Sequence, residues 1–188
     1  MADLGEAAMM AKLLHLFFLS TYWGMQIWVT FFSAFVLANN LNRHTFGFVQ
    51  SRLLPVYHHV GSACAFFNLL IFAMYHPRDQ MKENEVFQVL IFFVCVTIAA
   101  LNAQCFGAMT SEIMADMHFI EQNCGLGQDI WLSSSSEAYV KLCQSDAKYK
   151  RLNRQLWFYH SLSSLCNLCC IFCNGYSLYY LAENLTNL

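Results

Sequence analysis

Cysteine residues recur at helical spacing in the last apolar stretch of the chain, Leu156 to Leu181. Cys166, Cys170 and Cys173 occupy positions i, i+4 and i+7, so a helix places them on one face. Thiolates are soft ligands that suit Cu(I) and similar ions. The three thiols span roughly 10 Å of helix rise, which suits passing a soft ion along better than enclosing it. The pattern predicts a sulfur-lined route, and the alternative is that these cysteines are small packing residues.

Further sulfur-bearing side chains lie in the other apolar stretches. Met25, Cys64 and Cys105 could add to a sulfur-lined route if their helices pack beside the last one. Cys95 stands in the third apolar stretch without such neighbours in the sequence, and we expect it to be a packing residue. The sulfur hypothesis therefore depends on the three cysteines of the last stretch.

Polar residues form a stripe along the same stretch, because they recur at steps of three and four residues. Polar side chains are costly in hydrocarbon, so we expect this stripe to face other helices or a small aqueous cavity. The opposite face carries residues that suit lipid, namely Leu162, Leu165, Cys169, Phe172 and Tyr176. The polar stripe consists of His160, Ser163, Asn167, Cys170 and Asn174.

Polar residues of the other apolar stretches fall at similar or slightly greater depth when positions are counted from one side of the membrane. We expect them to form a polar layer with the stripe. Three interpretations remain open: hydrogen bonds that join helices, a pathway for a substrate or ion, and a haem or metal site. The predicted layer comprises Gln26, Thr30, His59, Asn68, Asn102, His160, Ser163, Asn167 and Asn174.

Two histidines of this layer are candidate ligands of a cofactor. Neutral imidazole binds haem iron and copper, so His59 and His160 could jointly hold either group. A ligating histidine needs an acceptor for its other ring N–H, and Asn102 is a candidate. The sequence is therefore compatible with a haem or copper cofactor but does not require a cofactor.

The composition indicates the elements that must position these residues. The chain has 188 residues, of which 57% are hydrophobic and 12% are charged. A soluble domain carries about 25% charged residues. Four apolar stretches, at about 9–38, 52–75, 86–108 and 156–181, are each long enough to cross a bilayer as a helix. The sequence predicts an all-α integral membrane four-helix bundle, with residues 1–188 forming a single domain.

The segment 109–155 is the only long hydrophilic part of the chain. The third membrane helix could continue into it and stop at Cys124–Gly127, where two glycines occur. Ser145 and Asp146 offer an N-cap for a helix that would run into the fourth membrane helix. The pattern predicts a helical hairpin that projects beyond the bilayer, between the third and fourth membrane helices.

Basic residues indicate the orientation, because cytoplasmic loops carry an excess of Lys and Arg. Seven lie on the side of the 39–51 and 109–155 segments, and three lie on the other side. We therefore expect the hairpin in the cytosol and both termini outside the cytoplasm. The seven are Arg43, Arg52, Lys141, Lys148, Lys150, Arg151 and Arg154, and the three are Lys12, Arg78 and Lys82.

Several local patterns together resemble the transmembrane protein 205 family. They include WGMQIWV at 23–29, RHTFG at 43–47, CAFFNL at 64–69, the Tyr159–His160 pair and LSSLCNL at 162–168. The resemblance implies a small four-helix protein of the plasma membrane or of secretory and endosomal vesicles. It also implies a link to tolerance of platinum drugs, although the family's domain has no established biochemical activity. A more distant similarity to bacterial four-helix membrane proteins that hold copper or haem raises the cofactor alternative.

The function that we expect combines these observations. The chain lacks Walker-type, G-x-S-x-G and H-E-x-x-H patterns, and its four apolar stretches contain no Asp or Glu, so we expect no enzyme. We expect a transport or trafficking accessory that handles small solutes or soft metals. The alternatives are a histidine-ligated haem or metal redox protein and a structural partner of another membrane protein. The expected partners are the lipid bilayer and a second copy or another membrane protein, and the net charge of −2 gives no indication of nucleic acid.

Overall fold

The computed structural model of the chain describes residues 2–75, 83–130 and 136–184. Within these ranges the fold is helical, as the sequence predicted, and a single backbone bridge pairs Asn42 with Ile130. Two π-helical segments, Trp28–Ser33 and Asn102–Phe106, connect α1 to α2 and α4 to α5. The helices are α1 Ala2–Ile27, α2 Ala34–Asn40, α3 Arg43–Tyr75, α4 Glu83–Leu101, α5 Gly107–Asn123, α6 Ser136–Ser145 and α7 Ala147–Asn184.

Three helical stretches of the described chain are long and apolar enough to cross a membrane. They are Arg43–Tyr75, Glu83–Asn123 and Ala147–Glu183. These stretches and their composition identify an integral membrane protein. The predicted span at 9–38 is also helical, but the π-helical segment at Trp28 divides it, and it is not among the three.

The start of α3 corrects the sequence prediction. We expected a polar link over 39–51 and a helix from about residue 52, whereas α3 begins at Arg43. The side-chain oxygen of Asn42 accepts a hydrogen bond of 2.8 Å from the backbone N–H of Thr45, which caps the first turn. Gly47 and Gln50 form the buried side of the added turns. Hydropathy missed these turns because their helix is held by capping and local packing rather than by lipid.

The predicted continuation of the third membrane helix into the hydrophilic segment is confirmed. α5 runs to Asn123, and Gly125 and Gly127 follow with positive φ angles of 71° and 96°. The predicted N-cap is also confirmed, because a side-chain oxygen of Asp146 accepts hydrogen bonds from the N–H groups of Lys148 and Tyr149. α7 therefore begins well before the apolar stretch. The serine run at 133–136 predicts a loop, of which residues 133–135 lie outside the described residues, whereas Ser136 begins α6.

The chain divides into two compact units. The first unit consists of Met1–Ile27, His58–Leu101 and Cys166–Leu188, and the second of Trp28–Tyr57 and Asn102–Leu165. Two of the junctions coincide with the starts of the π-helical segments. Such segments are rare and often mark functional positions. Thr30 and Asn102, both expected in the polar layer, lie in them.

Each unit has its own apolar core. In the first unit, Tyr22, Cys64, Ala65, Ile91 and Cys95 are among the buried residues of one cluster, and a second cluster is formed by Leu19, Phe72 and Phe92. In the second unit, the core consists of Met117, Leu142 and Tyr149, which join α5, α6 and α7. The polar residues described below are embedded in these cores.

Candidate functional site

A ladder of three buried polar side chains runs along α7 in the first unit. Cys170, Asn174 and Ser177 occupy positions i, i+4 and i+7 and are each at most 2% exposed. Asn174 and Ser177 hydrogen-bond to other helices of the unit, and Cys170 packs in one core cluster with Cys95 of α4. The opposite face is exposed at Leu165, Cys169, Phe172 and Tyr176, as predicted for a lipid-facing surface, and half-buried at Leu162.

The first rung forms a thiol cluster, defined here as Cys95, Cys170 and Cys173. Cys95 on α4 is fully buried and shares an apolar core cluster with Cys170, against which Cys173 also packs. Cys64 and Met25 pack in the same core cluster. The expectation that Cys95 has no thiol neighbours is therefore wrong. Its partners come from a helix some 75 positions further along the chain, which spacing within one helix cannot reveal.

The other predicted sulfur residues lie outside this cluster. Cys166 is half-buried on α7, one turn before Cys170, and is not among the described residues that pack in this core cluster. Cys105 is exposed and belongs to the second unit. Two of the three predicted α7 cysteines, Cys170 and Cys173, therefore belong to the thiol cluster. The third, Cys166, does not, and the remaining member of the cluster is Cys95 of α4.

The second and third rungs contact glutamine side chains. The amide nitrogen of Asn174 donates a hydrogen bond of 2.9 Å to the side-chain oxygen of Gln26 on α1. The hydroxyl of Ser177 donates one of 2.9 Å to the side-chain oxygen of Gln88 on α4. Both glutamines are fully buried. Gln26 and Asn174 were predicted for the polar layer, whereas Gln88 was missed because it is a lone polar residue in an apolar stretch.

Asn68 on α3 is the remaining buried amide of the first unit. It is fully buried, and neither its oxygen nor its nitrogen has a hydrogen-bond partner among the described residues. Cys64, Ala65 and Phe72, one turn away on either side, are buried as well. Asn68 therefore points into the core of the unit, not towards lipid.

Of the other predicted layer residues, Asn102 is buried and the rest are partly or fully exposed. Asn102, buried in the second unit, donates a hydrogen bond of 3.4 Å to the backbone oxygen of Ser163. Thr30, Ser163 and Asn167 are half-buried, and His160 is exposed. A helix of 3.6 residues per turn places His160 about 80° around the axis from Cys170. The two residues therefore do not face the same side of α7, which explains why Cys170 is buried and His160 is exposed.

The two candidate cofactor ligands belong to different units. His59 is part of the first unit, His160 is part of the second, and both side chains are exposed. Their joint ligation of haem or copper stays a prediction, which an absorption spectrum and elemental analysis of the purified protein would test. Among residues 2–75, 83–130 and 136–184, no group of three or more His, Cys, Asp or Glu side chains is arranged to hold a metal ion. The thiol cluster is thus a set of closely packed thiols, not a preformed metal cage.

The second unit contains a charged cluster that the sequence did not predict, defined here as Arg43, His44, Glu121 and Tyr149. Glu121 on α5 is fully buried, and its carboxylate lies 2.9 Å from a terminal guanidinium nitrogen of Arg43. The Tyr149 hydroxyl donates a hydrogen bond of 2.6 Å to it, and Nε2 of His44 lies 3.2 Å away. Both carboxylate oxygens are therefore engaged. The cluster ties α3, α5 and α7 together within the second unit.

The surroundings of the charged cluster leave little free space. The guanidinium of Arg43 stands 4.6 Å from the centre of the Tyr139 ring, a cation–π distance. Burial raises the pKa of the Tyr139 phenol, so that this ring stays neutral beside the cation. The loop after α5 passes directly against His44, and a Cβ atom at Gly127 would collide with the imidazole. This packing indicates a structural joint.

Comparison with known proteins identifies the family. A family model described as a domain of unknown function, DUF4149, matches residues 17–118. The Danio rerio protein named transmembrane protein 205 is 44% identical over 185 residues, which cover 98% of each chain. The chain belongs to the transmembrane protein 205 family. No solved structure matches it.

The two sequence matches cover different parts of the ladder and its partners. The DUF4149 match takes in Gln26, Gln88 and Cys95 but ends before α7, which carries the rungs themselves. The similarity to the transmembrane protein 205 of Danio rerio extends over nearly the whole chain and so includes α7. Sequence comparison thus defines the family, while the chemistry of the interior has to be argued from the side chains.

Proposed function

We propose that this member of the transmembrane protein 205 family handles soft metal ions in the membrane, as a transport or trafficking accessory for small solutes. The ion is cargo, and the thiol cluster is its contact site. The observation that carries the proposal is the packing of Cys95 on α4 with Cys170 and Cys173 on α7 in one buried core cluster. Thiolates prefer soft cations such as Cu(I), so a buried group of thiols favours this cargo over Mg²⁺ or Ca²⁺.

A second helix, α4, contributes one of the thiols, and this makes it geometrically possible for several sulfur atoms to contact one ion. Cysteines on one rigid helix point outwards from a single axis and cannot converge on an ion. A thiol from α4 faces those of α7, so two or three sulfur atoms can approach one ion after modest side-chain rotation. Met25 and Cys64, packed in the same core, offer further soft atoms nearby.

The buried setting favours brief contact over storage. A thiol must lose its proton to bind a metal ion, and apolar surroundings disfavour the thiolate. Each bound ion is therefore held weakly and can exchange from one thiol to the next. The absence of a preformed cage among the described residues agrees with this behaviour.

The proposal also includes an arrangement in the membrane. We propose that residues 1–188 form one transmembrane domain of four helices, with the α5–α6 region and the start of α7 as a cytosolic hairpin. Seven basic residues against three support termini outside the cytoplasm. We also propose a location in the plasma membrane or in secretory and endosomal vesicles, which the resemblance noted in the sequence implies. The exposed Trp157 and Phe172 suit contact with lipid, or with another membrane protein or a second copy of the chain.

Transport measurements test the function. The protein would be reconstituted into liposomes that contain a silver-responsive dye, and Ag⁺ entry would be compared for Cys95→Ser and Cys105→Ser. We expect Cys95→Ser to abolish the protein-dependent entry of Ag⁺, because it removes the α4 thiol of the cluster. Cys105→Ser, at an exposed position of the second unit, should leave entry unchanged. Equal entry for Cys95→Ser and the unaltered protein would contradict the proposal.

Chemical labelling tests the orientation. Cys124 is exposed in the loop after α5 and provides a native site for a membrane-impermeant maleimide. In intact cells this reagent should label Cys124 only after the plasma membrane has been permeabilised. Labelling before permeabilisation would place the hairpin outside the cell and contradict the proposed topology.

A further inference from the structure

Three fully buried amides of the first unit have polar atoms without partners among the described residues. Both glutamines of the ladder use their carbonyl oxygens as acceptors, which leaves the amide nitrogens of Gln26 and Gln88 unpaired. Asn68 has neither its nitrogen nor its oxygen paired. The unit thus buries three unpaired NH₂ groups and one unpaired carbonyl oxygen in addition to the hydrogen bonds of the ladder.

Unpaired amides are costly in such a place. Leaving a buried polar group without a hydrogen bond costs about 1–3 kcal/mol, so nearly all buried polar atoms in proteins have a partner. An apolar core would instead hold Leu or Met at these three positions at no such cost. The pattern therefore indicates that a small molecule pairs with the amides.

The chemistry of the unpaired atoms defines that molecule. It has to accept hydrogen bonds from the NH₂ groups of Gln26, Gln88 and Asn68, and at Asn68 it also has to donate one. The buried residues described in the first unit include no Asp, Glu, Lys or Arg, so a charged ligand would lack a counter-ion in a low-dielectric interior. A small neutral molecule that both donates and accepts fits these requirements.

We propose that the interior of the first unit binds ordered water at Asn68 and at the Gln26 and Gln88 amides. Water donates and accepts hydrogen bonds, and buried water typically bridges two to four polar groups. Asn174 and Ser177, already bonded to the glutamines, stand on successive turns of the same face as Cys170. The water bound by the two glutamines therefore lies beside the ladder that leads to the thiol cluster. This inference concerns hydration and does not depend on the proposed handling of soft metals.

Radiolytic footprinting tests the inference on the full-length protein in detergent. X-rays generate hydroxyl radicals from ordered internal water, and these radicals label side chains beside it. Phe72, one turn from Asn68, and Tyr22, one turn from Gln26, serve as reporters, since both are buried. Tyr149 serves as the matched control, because it is also buried but its hydroxyl is already bonded to Glu121.

The expected result is labelling of Phe72 and Tyr22 at severalfold the rate of Tyr149. In Asn68→Leu, which removes both polar atoms at nearly constant volume, labelling of Phe72 should fall to the level of Tyr149. Labelling of both reporters as slow as that of Tyr149 in the unaltered protein would overturn the proposal, and this comparison stands even if the variant fails to fold. Native mass spectrometry that reveals a retained small solute would overturn the assignment to water.

Discussion

The two units differ in the charge that they bury, although the second unit also buries amide oxygens, at Gln50 and Asn102, that are unpaired among the described residues. In the second unit, the buried carboxylate of Glu121 has an ion pair with Arg43 and a short hydrogen bond from Tyr149. In the first unit, the buried polar groups are neutral amides and thiols, and several of the amide atoms have no partner among the described residues. One unit holds charges in a single fixed arrangement, and the other holds neutral groups whose hydrogen bonds can be exchanged.

This difference separates a structural role from a functional one. A buried charge that loses its partner is strongly destabilising, so the charged cluster permits only one packing of α3, α5 and α7. Neutral amides and thiols lose far less when a partner changes, so water or a soft ion can take a partner's place. We therefore propose that the first unit carries the solute handling and that the charged cluster of the second unit is a structural joint. The following changes test that assignment, beginning with the largest expected effect.

Glu121→Gln should break the charged cluster. The change leaves Arg43 without its counter-ion in a mostly buried position, and losses of about 3 kcal/mol in the free energy of unfolding are typical of such sites. Denaturant unfolding of the purified protein measures the effect. Glu112→Gln, an exposed position on the same helix, is the control and should change stability little. Equal stabilities of the two variants would mean that the ion pair does not hold the second unit together.

Gly127→Ala should have the next largest effect. Gly127 has a φ angle of 96° and faces the His44 ring closely, so a methyl group adds backbone strain and a collision. We expect a loss of about 2 kcal/mol. Gly125→Ala, also at positive φ but with open space around its Cβ position, should lose only about 1 kcal/mol. A thermal unfolding comparison decides, and a smaller loss at Gly127 than at Gly125 would show that the loop does not pack on His44.

Asn174→Leu should have the smallest of the three effects. It removes one neutral hydrogen bond to Gln26, and interhelical hydrogen bonds in membranes contribute about 1 kcal/mol. Phe172→Leu, at a residue 75% exposed on the opposite face, should change stability by less than about 0.5 kcal/mol. If Phe172→Leu proved the more damaging change, α7 would have to be rotated from the orientation described here.

Hydropathy and helix-end signals were sufficient to predict much of the fold. The apolar stretches became helices because lipid-spanning segments must satisfy their own backbone hydrogen bonds. Asp146 was recognisable as a cap from its type and position. The early start of α3 was not, because residues 43–51 contain no long apolar run and their helix depends on Asn42 and on packing within the second unit.

The site was less predictable, since its partners are distant in sequence. Periodicity placed Cys170 and Asn174 on one face of α7, but it carries no information on what faces them. Cys95 and Gln88 stand alone in an apolar stretch of α4, and only the packing of α4 against α7 gives them a role. Glu121 lies 78 positions from Arg43 and in a segment that reads as a solvent-exposed hairpin. Only tertiary structure pairs such residues.

X-ray absorption spectroscopy of the purified protein loaded with Ag⁺ tests the central claim most directly. Our account predicts a silver ion bound by sulfur, with fewer sulfur neighbours in Cys95→Ser and the same number in Cys105→Ser. That result would show that thiols of α4 and α7 bind one soft ion. A shell of nitrogen and oxygen atoms, or a sulfur shell that Cys95→Ser leaves unchanged, would contradict the claim.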